Sequence, residues 1–388
     1  MEKKPEFIAV ANEKGGVGKT TTCLHLAACL KDMGFRVLMV DVDPSGNLSC
    51  ATLTEVPERV LFDVIKKRCN IMDAIYETPI ADILPTIKDV PGEDDESEER
   101  KTLTRIIGEL DRSRASGAFR IAKLLRNSPI VEKYDFVICD SSPSDSILTT
   151  NLIVAADSII IPCEPTSSSS NGLYMLMASI DEAKFLRHSM AAMLDDPSSY
   201  DVKLNVDGLV VAKFSDKRKT RREQYVNIME LVGEMNIPVY KTKIRDSAAL
   251  ESCMNENRPI SDYANNGTGY ADSMNFALEF LAKRSLAPRI MVPGIIVDET
   301  GKYIFCDKNT RYYTYEILDD KAKISVHSFT KSLLDNEAFM KEIGNSVFFS
   351  HDALCGYLEY LELTIVDELP EDITSDEAMP DGNAPDNA

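Results

Sequence analysis

Glu13-Lys14-Gly15-Gly16-Val17-Gly18-Lys19-Thr20-Thr21 is the stretch around which this 388-residue chain is organised. An apolar run, residues 7–11, precedes it, and a helix-like run, residues 20–33, follows. Strand, glycine loop and helix start together form a phosphate cradle. Glycines let the backbone wrap closely, so that successive N–H groups point inward at an anion. The helix N-terminus adds its partial positive charge. In such a loop Lys19 neutralises β- and γ-phosphates and the Thr20 hydroxyl ligates Mg²⁺.

Working outward, residues 37–40 are a short continuous apolar run, as expected of a parallel strand covered on both faces. The run ends in Asp41-Val42-Asp43-Pro44-Ser45-Gly46-Asn47. A carboxylate at the C-terminal end of a strand beside a phosphate loop lies where open α/β sheets bind ligands. An Asx-turn at a strand exit is the alternative role for such an aspartate. Further on, Tyr134-Asp135-Phe136-Val137-Ile138-Cys139-Asp140 delivers another carboxylate to the same sheet edge, followed by Ser141-Ser142-Pro143-Ser144. Asp140 there suits a hydrated Mg²⁺, an octahedral ion that takes one or two carboxylates and keeps its waters.

These three motifs, in this order, resemble the ParA/MinD family of ATPases with the deviant Walker A loop. An ordinary P-loop has glycine six residues before its lysine, where this chain has Glu13. It carries instead the extra lysine, Lys14, directly before the glycine pair. The resemblance implies an α/β fold, a mostly parallel sheet with helices on both faces. It implies ATP and Mg²⁺ as cofactors, with Lys14, Gly15, Gly16, Val17, Gly18, Lys19, Thr20 and Thr21 as the nucleotide-binding set. Catalysis would fall to Lys14, Lys19 and Asp43, with Lys14 reaching a partner's nucleotide across an ATP-dependent homodimer and Asp43 activating water. Thr20, Asp41 and Asp140 would serve the metal. The family pattern after Asp43 has glutamine where this chain has Ser45, so that glutamine's role does not carry over.

Residues 81–85, 158–162 and 206–211 read as further strands, and Leu173, Met177 and Ile180 are spaced for one helix face packed in the core. Residues 213–222 contain six basic side chains, in a chain of net charge −20. One reading is a solvated helix start with salt bridges; the other is a patch for phosphate contacts. ParA-like proteins carry a basic turn here for non-specific DNA binding, which points to Lys217, Arg218 and Arg221. Lys241, Lys243 and Arg245 alternate along a strand-like segment and would extend that surface. The family resemblance covers residues 1–285. It implies a partition ATPase that segregates a plasmid or chromosome with a centromere-binding, ParB-like adaptor, cytoplasmic and nucleoid-associated. A same-fold ATPase that positions a protein cargo and a MinD-like membrane-surface switch are the alternatives. The switch normally ends in a basic amphipathic helix, and this chain ends in acid.

Residues 286–365 lie outside the resemblance and read as a small α+β appendage, with strands near residues 290–292, 303–306, 312–317 and 324–329 and helices at 336–343 and 354–361. Residues 366–388 are acidic and free of aromatics, the composition of a disordered tail. No apolar run reaches the ~18–20 residues that span a bilayer, so no membrane partner is expected. The start of the chain leads into a strand rather than a signal-peptide core. Nine cysteines without a Cys-x-x-Cys pair suit reduced, buried thiols rather than a disulfide or zinc framework.

Overall fold

The computed structural model describes residues 4–88, 102–112, 115–143, 146–191, 204–215, 219–262, 268–284 and 286, and five strands beyond residue 292. The chain forms two compact units, Met1–Val292 and Pro293–Ala388.

The first unit is built on seven strands: β1 (Glu6–Val10), β2 (Val37–Asp41), β3 (Asp82–Leu84), β4 (Phe136–Asp140), β5 (Ser158–Cys163), β6 (Asn205–Phe214) and β7 (Val239–Arg245). Their order across the sheet is β3-β2-β4-β1-β5-β6-β7, and every pairing is parallel. All residues of β2, β4 and β5 are buried, which requires cover on both faces. Alternate side chains serve the two faces. Phe7, Ala9, Leu38 and Val40 join one cluster with Leu152 and Ile153 of the helix Ile147–Ala155. On the other side Phe136 meets Phe280 of the helix Thr268–Ala282 edge-on, with ring centroids 5.3 Å apart. Full burial of such a ring stabilises by about 2 kcal/mol.

Because the strands are parallel, all their C-terminal ends share one edge. That edge receives the glycine loop after β1, Asp41 at the end of β2 and Asp140 at the end of β4. Register makes the placement tight: Val10 pairs with Asp140, and Asp41 pairs with Asp140. The strand β6 runs to Phe214, so Lys213 and Phe214 of the basic stretch belong to the sheet. The helix Lys19–Asp32 ends near Gly34, whose φ of 86° is the left-handed turn that glycine accepts.

The second unit contains a five-stranded sheet in the order β12-β11-β10-β9-β8, from β8 (Ile295–Val297), β9 (Tyr303–Phe305), β10 (Arg311–Leu318), β11 (Lys321–Ser328) and β12 (Thr364–Val366). Its pairs are antiparallel except β11 with β12. Three of the strands expected from sequence are present. The strand at 290–292, the helices at 336–343 and 354–361 and the tail lie outside the described residues.

Candidate nucleotide site

The loop between β1 and the first helix takes its shape from Asn12. Its side-chain amide donates to the Pro162 carbonyl at 2.8 Å, and its Oδ1 accepts the Lys14 N–H at 3.0 Å. Gly16 and Gly18 have φ of 75° and 92°, a left-handed conformation that side chains strain to adopt. A Cβ on Gly18 would also lie 3.3 Å from the Ala212 Cβ. Lys19, the first residue of the helix, donates its ammonium to the Asn12 and Lys14 carbonyls at 3.0 and 3.1 Å. Burial lowers its pKa, opposed by Asp140, Asp43 and Glu13. Two carbonyl dipoles hold this cation in reserve, and a phosphate would be a stronger partner.

Opposite the loop, the Thr20 hydroxyl donates to Asp140 Oδ2 at 2.6 Å. The other oxygen, Oδ1, is buried without a hydrogen-bond partner among the described residues, as are the hydroxyls of Ser141 and Ser45. Burial pushes the Asp140 carboxyl well above its ordinary range, and Asp41 adds like-charge repulsion. Asp41 is pushed up to about 7, again chiefly by burial. Asp41 is nevertheless well bonded: Ser49 gives it a backbone N–H at 2.8 Å and a hydroxyl at 2.6 Å, and Asp43 gives a backbone N–H at 3.2 Å. Asp41 therefore orders its loop, whereas Asp140 keeps an open oxygen. Asp43 accepts the Ser45 N–H at 2.9 Å, so the Asx-turn and a place at the site edge coexist in one residue.

A divalent cation fits this donor set. Two buried carboxylates repel, one carboxylate oxygen is unsatisfied, and a hydroxyl stands ready on Thr20. No group of three or more His, Cys, Asp or Glu among the described residues could cage a metal alone. That suits Mg²⁺, which keeps several waters and takes phosphate oxygens as ligands.

Beside Gly18 and Thr21 opens a cleft of about 370 Å³, walled by Lys213, Ile244, Asp246, Leu250 and Met254. It continues directly from the phosphate loop and has the size and mixed lining of a nucleoside subsite. Sequence reasoning gave no residues for it, because its walls come from three separate segments. Ser49 was also invisible to it. The only local signal, a serine eight residues after Asp41, is too common to single out.

Lys14 lies half-buried. Its ammonium donates to Thr166 Oγ1 and to Ser169 Oγ, the latter at 3.3 Å. Lys217 and Arg218 lie outside the described residues, and Arg221 falls on the helix Lys219–Glu234. Arg245 grips Asp272 in a two-pronged ion pair, with nitrogen to oxygen distances of 2.9 and 2.6 Å. Lys243 stacks over the rings of Phe214 and Tyr225. Of the seven cysteines described, all are free thiols and five are buried. No helix among the described residues is long and apolar enough to cross a membrane.

A family model described as an AAA domain matches residues 5–191. The chromosome partitioning protein ParA of Myxococcus xanthus (strain DK1622) is 31% identical over 267 residues, 66% of this chain and 81% of that protein. Among solved structures, apo McdA of Cyanothece superposes with a TM-score of 0.54 at 22% identity, covering 70% of this chain and 99% of its own. Cobyrinic acid a,c-diamide synthase from Mycobacterium smegmatis, with ADP and magnesium bound, gives 0.54 at 22% identity, covering 72% and 96%. At that identity these structures establish the shared fold.

Proposed function

This chain belongs to the ParA/MinD superfamily of partition ATPases, and from that premise we propose that it is an ATP-driven dimerising switch that carries DNA. The observation that supports this most is the pairing of two lysines with one glycine loop, above a Thr20–Asp140 hydrogen bond of 2.6 Å. Lys14 and Lys19 supply positive charge from two directions, and Asp140 supplies the anchor for a metal.

ATP enters with its triphosphate on residues 15–21 and its base in the cleft beside Thr21. Lys19 transfers its hydrogen bonds from backbone carbonyls to the β- and γ-phosphates. Thr20 and Asp140, with Asp41 behind them, would hold Mg²⁺, which would supply charge to offset the phosphates. Asp43, at the site edge, orients the attacking water. Phosphoryl transfer of this kind depends on positioning and electrostatics. Lys14 of each subunit reaches the partner's phosphates, so that ATP joins the two copies. Hydrolysis removes the γ-phosphate and with it the reason to pair.

Pairing brings two basic stretches, around Lys217, Arg218 and Arg221, onto one surface. Phosphate contacts act through counterion release, with a salt slope of about −0.9 per neutralised phosphate, so two weak patches become one useful one. Arg245, paired with Asp272 and partly exposed, is a further candidate for a DNA contact. A ParB-like adaptor on the cargo would accelerate hydrolysis and release the DNA locally.

Cosedimentation with random-sequence duplex DNA in ATP and in ADP tests the reading. Binding is expected in ATP alone, with Arg221→Glu weakening it while nucleotide affinity stays unchanged. Binding in neither nucleotide would leave a cargo-positioning ATPase without DNA, and equal binding in both would remove the nucleotide switch.

A further inference from the structure

We propose that Thr166 and Ser169 form a resting cradle that holds Lys14 inside its own subunit and sets the threshold for nucleotide-dependent pairing. The inference rests on the cross-subunit role of Lys14 given above and goes beyond it by naming what that lysine must leave.

The cradle is built. Ser169 is fully buried and is the first residue of the helix Ser169–Ala191. Its hydroxyl donates to the Glu164 carbonyl at 2.5 Å and accepts the Thr166 N–H at 3.2 Å. The Thr166 and Ser169 hydroxyl oxygens are 3.0 Å apart, a spacing that lets one ammonium reach both. The helix comes close to the Lys14 stem because residue 172 is glycine. A Cβ there would lie 2.9 Å from Asn12 Oδ1 and 3.1 Å from Lys14 Cβ.

The cradle is also weak by design of charge. Its hydroxyls carry no negative charge. They sit at the N-terminus of a long helix, the end whose partial positive charge disfavours cations. A triphosphate offers the same ammonium a full anion, and charge-assisted bonds to phosphate are roughly twice as strong as neutral ones. Lys14 is therefore retained while no phosphate is in reach and released when a nucleotide-loaded partner arrives. The retention reduces apparent pairing affinity by the fraction of subunits whose lysine is free.

Thr166 is the position to change: its hydroxyl also meets those of Ser168 and Ser169 at 3.4 and 3.0 Å, but the bonds from the loop to its backbone run through Ser169 and the Thr166 N–H. In the full chain with a non-hydrolysable ATP analogue, Thr166→Val should tighten the dimer. Losing one such bond frees the lysine about fivefold per subunit, hence about 25-fold for the pair. Thr166→Ser, which keeps the hydroxyl, should pair like the parent. Thr166→Glu, which gives Lys14 a carboxylate at home, should weaken pairing. In nucleotide-free protein, acylation of the Lys14 amine followed by mass spectrometry should be faster in Thr166→Val; a purely structural role for Thr166 would not change it. Unchanged or weaker pairing by Thr166→Val, while Lys14→Ala abolishes pairing, overturns the cradle alone. If Lys14→Ala pairs normally, the cross-subunit reading falls first and the cradle with it.

Discussion

The two ends of the parallel sheet treat charge in opposite ways. At the N-terminal end a network of charged groups among the described residues is closely matched. Arg284 donates to both oxygens of Glu6 at 2.7 and 2.6 Å and to Asp207 at 3.2 Å. Ser158 adds a hydroxyl to Glu6 at 2.7 Å, and Tyr240 and Lys283 complete the shell of Asp207. Arg126 closes on Asp157 at 2.6 Å a short distance away. At the C-terminal end two carboxylates face each other, and the hydroxyls of Ser45, Thr86 and Ser141 and one oxygen of Asp140 have no partner among the described residues. Buried polar groups are normally satisfied. Two further exceptions, on His25 and Asp32, lie along the helix Lys19–Asp32, but the group gathered at the C-terminal edge suits a place where a ligand contributes the missing partners, while the closed network marks where the fold is fastened.

The largest test of this contrast is Asp140→Asn. The substitution keeps shape and removes a buried charge that burial and Asp41 both oppose. ATP turnover should fall by about 100-fold or more, while the nucleotide-free protein melts a few degrees higher. Turnover assays and thermal melts on one preparation check both. A variant that is equally active, or less stable, would place Asp140 among the fastening residues instead.

Arg284→Ala probes the other end. It removes the guanidinium from Glu6, leaving that carboxylate only the Ser158 hydroxyl, and from Asp207, so stability should drop by about 3 kcal/mol, read from urea unfolding, with turnover per folded molecule unchanged. Lost turnover at unchanged stability would merge the two ends into one functional unit.

A smaller effect comes from His25, buried in the helix that starts at the glycine loop. Burial lowers its pKa from 6.5 to about 4, and neither ring nitrogen has a hydrogen-bond partner among the described residues. The unfolded chain thus takes up a proton that the folded chain refuses. The contribution to stability is complete above about pH 6.5 and is lost as pH falls through about 4. At pH 5.5 the loss should be about 1 kcal/mol. His25→Leu should lack that part of the pH dependence when urea midpoints at pH 7.5 and 5.5 are compared.

What was legible in the sequence follows the same division. The glycine loop, Asp41, Asp43 and Asp140 are contiguous with the strands that deliver them, so local pattern and register suffice. The apolar run at residues 37–40 reads as a parallel strand and the family motifs imply a mostly parallel sheet; the seven-stranded sheet is parallel throughout. The closed end was not legible, because Arg284 meets Glu6 across 278 residues and no local pattern announces it. Arg245 shows the converse. Its alternation with Lys241 and Lys243 suggests a basic face, yet Asp272, 27 residues on, takes its guanidinium. The cradle for Lys14 was hidden for a similar reason. Its hydroxyls stand within a run of threonine and serines that reads as a polar loop, and only the fold brings them to the glycine loop.

The central claim is that a triphosphate joins two copies through Lys14. Small-angle scattering of the full chain with saturating non-hydrolysable ATP analogue, with ADP, and of Lys14→Ala with the analogue tests it most directly. A doubled mass is expected in the first sample and single molecules in the other two. Single molecules in all three, or doubled mass in Lys14→Ala, would contradict it.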